Sequence, residues 1–474
     1  MREHLDAPRG EGALADSPHA GAAGGAACGD LVRVAVRVAG DRIVEAGFAA
    51  RGCAAAQAAG SAVVALAEGR PLLQAARLTA GDVSAELGGL LPAKRHAADL
   101  AADALHRAIG AAARDGAPAL APHPRRTLVA MSGGVDSAAA AQLAIDSGDE
   151  VVAVTLELWS DPATDDERSC CSPRAVLGAR ELAHRMGIPH LTLDLRERFR
   201  SAVVDDFLTG YAEGRTPNPC VRCNGELRFD AMLALAGSLG AARLATGHYA
   251  RIARDERGPL LRQGADPRKD QSYMLARLDP ELLDRLSFPL GALTKDAVRG
   301  LARTAGLPVA DRRESQDLCF AAGLGNRAFL RRHGAPALRR PGRIVHLDGR
   351  RLGEHDGQDA FTVGQRRGLG VAGGEPLYVV SKDAETATVT VGPRSALAAT
   401  SVLLTGPHLH RGPDGVESAR LRYGSAPIPC RATETPAGVE LELMQPAEAV
   451  APGQLACLMA GDRVTGHGTI ARAS

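Results

Sequence analysis

Thr127-Leu128-Val129-Ala130-Met131-Ser132-Gly133-Gly134-Val135-Asp136-Ser137 decides the fold. The run Thr127 to Met131 is short, apolar and bounded by polar residues, as a buried strand is, and Ala138 to Ala144 after it is strongly helix-forming. A strand that turns directly into a helix leaves free backbone amides at the positive end of the helix dipole, and glycines at the bend let a ligand come close. Such a turn is a site for phosphate. Ser132 and Ser137 add hydroxyl donors, and Asp136 is placed to hold Mg2+ beside a pyrophosphate. The loop contains no lysine, so it is not the GxxxxGK[ST] phosphate loop.

Outward from this stretch, strands and helices alternate. Strand Val151 to Leu156, helix Pro173 to Met186, strand His190 to Leu193, helices Phe199 to Tyr211 and Leu227 to Leu239, and strand Arg243 to Ala245 follow in order. The alternation predicts an α/β domain over residues 127–324, a doubly wound parallel sheet whose crevice lies beyond the carboxyl ends of the strands. The SGGVDS loop, Leu156 to Trp159 and Thr246-Gly247-His248-Tyr249 converge there. Upstream, residues 1–26 are small and polar without a hydrophobic period and predict a disordered leader. Residues 27–112 predict a small α+β domain, with strands Leu31 to Val38 and Ile43 to Ala49 and helices Ala54 to Ala67 and Ala97 to Ile109. Residues 113–126, with Pro118, Pro122 and Pro124, predict a linker. Downstream, 325–395 predicts a small connecting domain ending in a hairpin at Leu377 to Val391. Residues 396–474 predict a C-terminal β-barrel-like module with strands at Val439 to Leu443 and Gln454 to Met459.

The chain has 474 residues, enough for about three domains. Its formal net charge of +1 neither supports nor excludes an RNA partner, so an RNA surface would have to be a local patch. Nine cysteines, an odd number, come with no secretory signal and no apolar run long enough to span a membrane. Together these predict a soluble protein of a reducing compartment, the cytoplasm, in which thiol chemistry outranks a disulfide framework.

Thr216-Pro217-Asn218-Pro219-Cys220-Val221-Arg222-Cys223-Asn224 presents two thiols three positions apart in a proline-stiffened loop. A CxxC by itself is a zinc half-site, a redox dithiol, a cluster half-site, a nucleophile with a companion, or a pair of inert thiols. Glu314-Ser315-Gln316-Asp317-Leu318-Cys319-Phe320 puts a lone cysteine in a polar stretch, where a structural cysteine is the plain alternative. SGGVDS resembles the PP-loop of ATP pyrophosphatases, which cleave ATP between its α and β phosphates. Taken in order, SGGVDS, GRTPNPCVRCN, ATGHYAR, Lys269-Asp270-Gln271-Ser272-Tyr273 and ESQDLCF resemble the tRNA-specific 2-thiouridylases over roughly residues 125–474.

That resemblance implies an enzyme, a tRNA-uridine 2-sulfurtransferase. Using ATP and Mg2+, it would adenylate the 2-oxygen of the wobble uridine and replace that oxygen by sulfur from a cysteine persulfide. It implies Cys319 as the persulfide carrier and Cys223 as its nucleophilic partner. Ala130, Met131, Ser132, Gly133, Gly134, Val135, Asp136, Ser137, Leu156 and Gly247 match ATP-contacting positions. Asn218, Pro219 and Cys220 match positions at the target base, and His248, Lys269, Asp270, Gln271, Arg422, Tyr423 and Gln454 match positions near the tRNA. The implied partners are a tRNA with a wobble uridine and a sulfur donor, such as a cysteine desulfurase or a sulfur-relay protein, and no membrane.

One position departs from the pattern. Many members of the family have aspartate, the proposed general acid/base, where this chain has Cys220. Cys220, Cys223 and Cys319 could instead hold three irons of a [4Fe-4S] cluster and leave the fourth open to sulfide, giving the same product. The N-terminal unit resembles IscU/NifU-type iron–sulfur scaffolds at Ala27-Cys28-Gly29-Asp30, Gly52-Cys53-Ala54 and Lys94-Arg95-His96. Those scaffolds carry a third cysteine directly after the histidine, where this chain has Ala97. Cys28, Asp30, Cys53 and His96 are then either a metal or labile-cluster site or the remnant of one in a docking domain.

Two other function classes compete: a non-catalytic iron–sulfur carrier, against which the intact SGGVDS speaks, and a PP-loop amide ligase, which needs no paired thiols. The arginines from Arg331 to Arg351, with Arg366 and Arg367, read as a phosphate-backbone patch or as a solvated basic face. Cys170 and Cys171 read as incidental thiols and Cys430 and Cys457 as core.

Overall fold

The computed structural model describes residues 1–24, 29–161, 173–312, 318–334, 336–371 and 375–474. Its centre is a five-stranded parallel sheet in the order Leu286–Ser287, Ala241–Thr246, His123–Ala130, Glu150–Glu157, His190–Asp194. Strand Glu150–Glu157 is buried along nearly its whole length, as a strand covered on both faces must be, and its sequence is correspondingly apolar without alternation. Strand His123–Ala130 sits between it and Ala241–Thr246, so the SGGVDS turn opens at the carboxyl edge with the ends of both neighbours beside it.

The N-terminal domain is a three-stranded antiparallel sheet, Ala20–Gly24, Leu31–Ala39 and Arg42–Arg51, backed by helices Ala54–Ala67 and Arg95–Arg114. Residues 1–26, expected as a disordered leader, instead contain helix Arg2–Asp6 and the first of these strands. His4 is buried and its Nδ1 is 2.9 Å from Ser61 Oγ on helix Ala54–Ala67. The strand escapes a periodicity reading because it is made of Ala and Gly for a steric reason: a Cβ on Gly21 would lie 2.6 Å from the Ala108 nitrogen of the long helix. Backbone-to-backbone approach leaves no room for the large residues that mark a strand in sequence.

Helix Arg95–Arg114 also faces the parallel sheet. Gly110 meets the Thr192 carbonyl so closely that a Cβ would overlap it, and one apolar cluster runs from Val34 and Leu105 to Leu191 and Leu193. The segment expected as a linker is pinned to both sides: the amide of Ala119 donates to Gly40 O and that of Leu120 to Ser238 O, each at 2.9 Å. Across the junction Arg180 Nη1 donates to Asp103 at 2.8 Å and Arg107 to Asp103 at 2.9 Å, while Arg107 lies 3.4 Å from Glu157. Burial pushes the Asp103 carboxyl up, but the charges of Arg180 and Arg107 outweigh it and hold the group low.

Beyond the parallel-sheet domain, strands Arg351–His355, Gly342–His346, Thr388–Gly392 and Tyr378–Asp383 form a small sheet in that order. Six strands then close into a barrel: Ala398–Leu409, Gly438–Glu448, Ile428–Thr435, Ser418–Arg420, Leu455–Ala460 and Arg463–Ala473, with the first pairing the last. Closure pairs the barrel's first and last strands with each other, and the hairpin Ala250–Asp255 with Gly258–Gln263 extends the sheet from Arg463–Ala473. No helix among the described residues is long and apolar enough to cross a membrane.

Candidate active site

The SGGVDS turn is held from within. The Ser132 amide donates to Ser137 Oγ at 3.1 Å, and that hydroxyl donates to Gly134 O at 3.1 Å. Gly133 has φ of +73°, which a side chain would strain. From below, Thr155 Oγ1 donates to Met131 O at 2.6 Å and lies 2.7 Å from Nε2 of the buried His190. The turn therefore stands on a fixed base before any ligand arrives. Helix Val135–Asp146 leaves it with Asp136 in the first turn.

A cavity of about 220 Å³ opens over the turn, lined by Ala130, Met131, Ser132, Asp136, Leu156 and Gly247 together with Arg228, Met232, His248 and Gln271. All but Gly133, Gly134 and Val135 of the residues expected to touch ATP face it, counting Ser137. Gly247 is fixed by contact: a Cβ there would lie 2.8 Å from both Asp136 C and Ser137 N. Asp136 is engaged by two groups, Tyr249 of the ATGHYAR motif and Lys295, which lies outside every motif read from the sequence. Lys295 Nζ donates to both its carboxylate oxygens, at 2.7 and 2.8 Å, and Tyr249 Oη donates to one at 2.8 Å. Lys295 begins helix Lys295–Thr304, 159 residues from Asp136 in sequence. Arg312 Nη1 donates to the Gly133 carbonyl at 3.1 Å.

The residues expected near tRNA separate. His248 lines the cavity, 2.8 Å from Thr246 Oγ1, and burial, with the charge of Arg228, holds it neutral with a pKa of about 3. Gln271 also lines it, its Oε1 accepting from the Tyr249 amide. Asp270 is buried and committed internally: it accepts from the amides of Gly264 and Ser272, from Ser272 Oγ, and from Arg420 Nη1 of the barrel at 2.5 Å. It locks two domains together and has no surface to offer an RNA. Lys269 is half-buried, while Arg422 and Tyr423 are exposed on the barrel. Gln454 Nε2 donates to Thr216 O at 2.6 Å and so ties the barrel to the segment leading into the CxxC.

The CxxC is helical, a correction to the expected loop. Asn218 caps Pro219–Cys223 by accepting from the Val221 amide, and Pro219 takes the first helical position, where its missing N–H costs nothing. The helix continues through a wide turn, Asn224–Arg228, into Phe229–Ser238. Cys220 is half-buried and Cys223 buried. Cys319 is half-buried and packs on the same apolar cluster as Cys223, while Phe320 beside it sits among Phe199, Phe207 and Phe329. Glu314 to Asp317 lie outside the described residues, as do Cys170 and Cys171. Cys430 and Cys457 are buried, and burial pushes their thiols up to about 11 and about 12. The basic stretch is largely paired: Arg332 and His333 both reach Asp161 at 3.1 Å, Arg343 reaches Thr388 and Arg340 reaches Glu385 O, while Arg366 and Arg367 stay exposed.

In the N-terminal domain, ligand atoms of Asp30, Cys53 and His96 lie within 4.8 Å of one another, the one such set of three among the described residues. Asp30 accepts from the Cys53 amide at 2.8 Å and lies 2.9 Å from His96 Nε2; these two bonds, the amide foremost, hold its carboxyl low. A carboxylate, a thiol and an imidazole so placed fit a zinc or iron ion. Cys28 lies outside the described residues, and Ala97 is fully buried. Cys220, Cys223 and Cys319 form no comparable set for a single ion.

A parallel sheet with an SGGVDS turn under a cavity, joined to a scaffold-like domain and a closed barrel, defines a PP-loop enzyme of composite build. Residues 125–323 match the family described as tRNA methyl transferase HUP domain, and residues 1–115 the NifU-like N terminal domain. Residues 327–393 match the tRNA methyl transferase PRC-barrel domain and 403–470 the aminomethyltransferase beta-barrel domain. The chain is 46% identical to the bifunctional protein NifU/MnmA of Rubrobacter xylanophilus, over 99% of this chain and 97% of the relative. It is 46% identical to the tRNA-specific 2-thiouridylase MnmA of Rhodospirillum centenum and 47% identical to that of Methylorubrum populi, each over 74% of this chain and 93% and 94% of the relative. The chain belongs to the tRNA-specific 2-thiouridylase (MnmA) family, in the form that carries a NifU-like domain in front.

Proposed function

We propose that this chain is a tRNA-uridine 2-sulfurtransferase, forming 2-thiouridine at the wobble position and splitting ATP to AMP and pyrophosphate. One observation carries the reading: a single helical run bears Cys220 and Cys223 in its first turn and sends Arg228 and Met232 into the cavity over SGGVDS. Cys223 and Arg228 are five positions apart on this run, roughly 6–7 Å of axis. A base presented at the CxxC turn is then within reach of a nucleotide in the cavity.

The uridine 2-oxygen attacks the α-phosphorus, and the bond to the bridging oxygen breaks with its electron pair leaving on pyrophosphate. The terminal sulfur of a Cys319 persulfide attacks C2, and AMP departs with the former carbonyl oxygen. Cys223 thiolate then attacks Cys319 Sγ, and the pair from the cleaved S–S bond stays on the sulfur now at C2. A Cys223–Cys319 disulfide results, which an external dithiol must reduce before a sulfur donor reloads Cys319. Cys223 is buried and Cys319 half-buried, so Cys319 is the more exposed of the two and the one for a donor to reload. Asp136 is the residue to hold Mg2+, and a bound ion would screen the triphosphate. Asn218, Pro219 and Cys220 are the residues for the target base, with Arg422, Tyr423 and Lys269 on the tRNA side. Thiol chemistry of this kind suits a reducing, cytoplasmic setting.

The test is ATP-dependent 2-thiouridine formation on unmodified tRNA with a loaded cysteine desulfurase as donor. Cys319→Ser and Cys223→Ser should each give no thiouridine while binding ATP as the parent does; undiminished product from Cys319→Ser would sink the reading. Cys220 motivates a second reading in which the three thiols hold a [4Fe-4S] cluster, which when bound would offer an open iron to sulfide. Iron and acid-labile sulfide analysis after anaerobic purification, repeated on Cys220→Asp, separates the two. Asp30, Cys53 and His96 are read as a metal site of the NifU-like domain.

A further inference from the structure

The SGGVDS turn lacks the lysine with which other phosphate loops meet a triphosphate, yet a lysine is present. The Lys295 side chain is largely buried, and its Nζ grips both oxygens of Asp136, which lines the cavity. Its backbone is fixed: Thr294 caps the helix by accepting from the Ala297 amide, and the Lys295 amide donates to Asp266 Oδ2 at 3.1 Å. Its side chain ends in a compact point charge on a flexible four-carbon stem, which can turn about that anchor.

With no nucleotide bound, the Lys295 ammonium compensates the Asp136 carboxylate. A triphosphate brings several negative charges to the same place, and Mg2+ brings the ligand preference for carboxylate oxygen. Tyr249 Oη stays on Asp136 Oδ1 and keeps the carboxylate oriented while its other partner changes. We propose that Lys295 is a pyrophosphate-binding residue of this ATP site. On nucleotide binding, Nζ exchanges Asp136 for an oxygen of the β or γ phosphate, and it stabilises the charge that collects on pyrophosphate when the α–β bond breaks. The inference rests on the proposed ATP site and adds to it the cation that the loop itself does not carry. Arg312, which donates to the Gly133 carbonyl, is occupied with the loop backbone and does not fill this role.

Equilibrium titration of the full chain with inorganic pyrophosphate and with AMP, both in EDTA and without tRNA, tests it. Lys295→Met should weaken pyrophosphate binding by about tenfold or more with AMP binding unchanged, and Lys295→Arg should recover part of the loss. Removing the lysine also leaves Asp136 as an uncompensated negative charge, so the double variant Lys295→Met, Asp136→Asn is required. If the lysine touches phosphate, the double variant stays weak; if it merely neutralises Asp136, the double variant regains parental affinity and the proposal is overturned. Equal losses for AMP and pyrophosphate, or unchanged pyrophosphate binding in a folded Lys295→Met, overturn it as well. Failure of the parent chain to bind ATP at all would strike the ATP site itself, a different result from any of these.

Discussion

At the scale of single residues, the site is built by exclusion as much as by contact. Gly247 is required because the end of strand Ala241–Thr246 presses against the first turn of helix Val135–Asp146. Gly247→Ala would put a methyl 2.8 Å from Asp136 C and Ser137 N, so the turn must shift, and we expect ATP affinity to fall by roughly tenfold or more. Calorimetric titration with ATP checks this, and a parental affinity in the alanine variant would show the approach to be looser than drawn. SGGVDS and the thiols were legible because phosphate and sulfur chemistry demand particular residue types at fixed local spacing. Lys295 was not, since only the tertiary fold brings it to Asp136. Asp270 sat in a motif that pointed to RNA, and four hydrogen bonds turn it inward.

At the scale of elements, the alternation of strand and helix was readable in the parallel sheet because buried strands and helix-forming runs differ in length and composition. The strand Ala20–Gly24 and the helical CxxC turn were not. The first is written in residues chosen for smallness, and the second depends on the Asn218 cap and the Pro219 start, which a reading of prolines as loop stiffeners misses. The long helix Arg95–Arg114 shows how a buried ion group acts at this scale. Arg180 is 7% and Asp103 14% exposed by side chain, so Asp103→Ala leaves a buried guanidinium without its carboxylate at this junction. Stability should fall by about 3–5 kcal/mol, measurable as a lowered urea midpoint. A change below about 1 kcal/mol would mean that water reaches Arg180.

At the scale of the whole molecule, several histidines are held neutral by burial. His248 and His467 have pKa values near 3 and His410 near 4, in each case chiefly from desolvation. The unfolded chain takes up protons near the ordinary histidine value of about 6.5 while the native chain refuses them. Stability is therefore fully present above that value and is lost as pH falls from it toward 3, by up to about 1.4 kcal/mol per pH unit for each such histidine. Between pH 6.5 and 5, where carboxylates are still ionised, the urea midpoint should drop; a flat profile there would contradict the neutral, buried histidines. The NifU-like domain takes part in the same cooperative whole, because its long helix covers the edge strand His190–Asp194 and buries Leu191 and Leu193. The fusion is thus less a tether than a party wall. Exchanging the front domain for another scaffold would expose the brickwork of the enzyme behind it, so in this chain the two parts are to be engineered as one building.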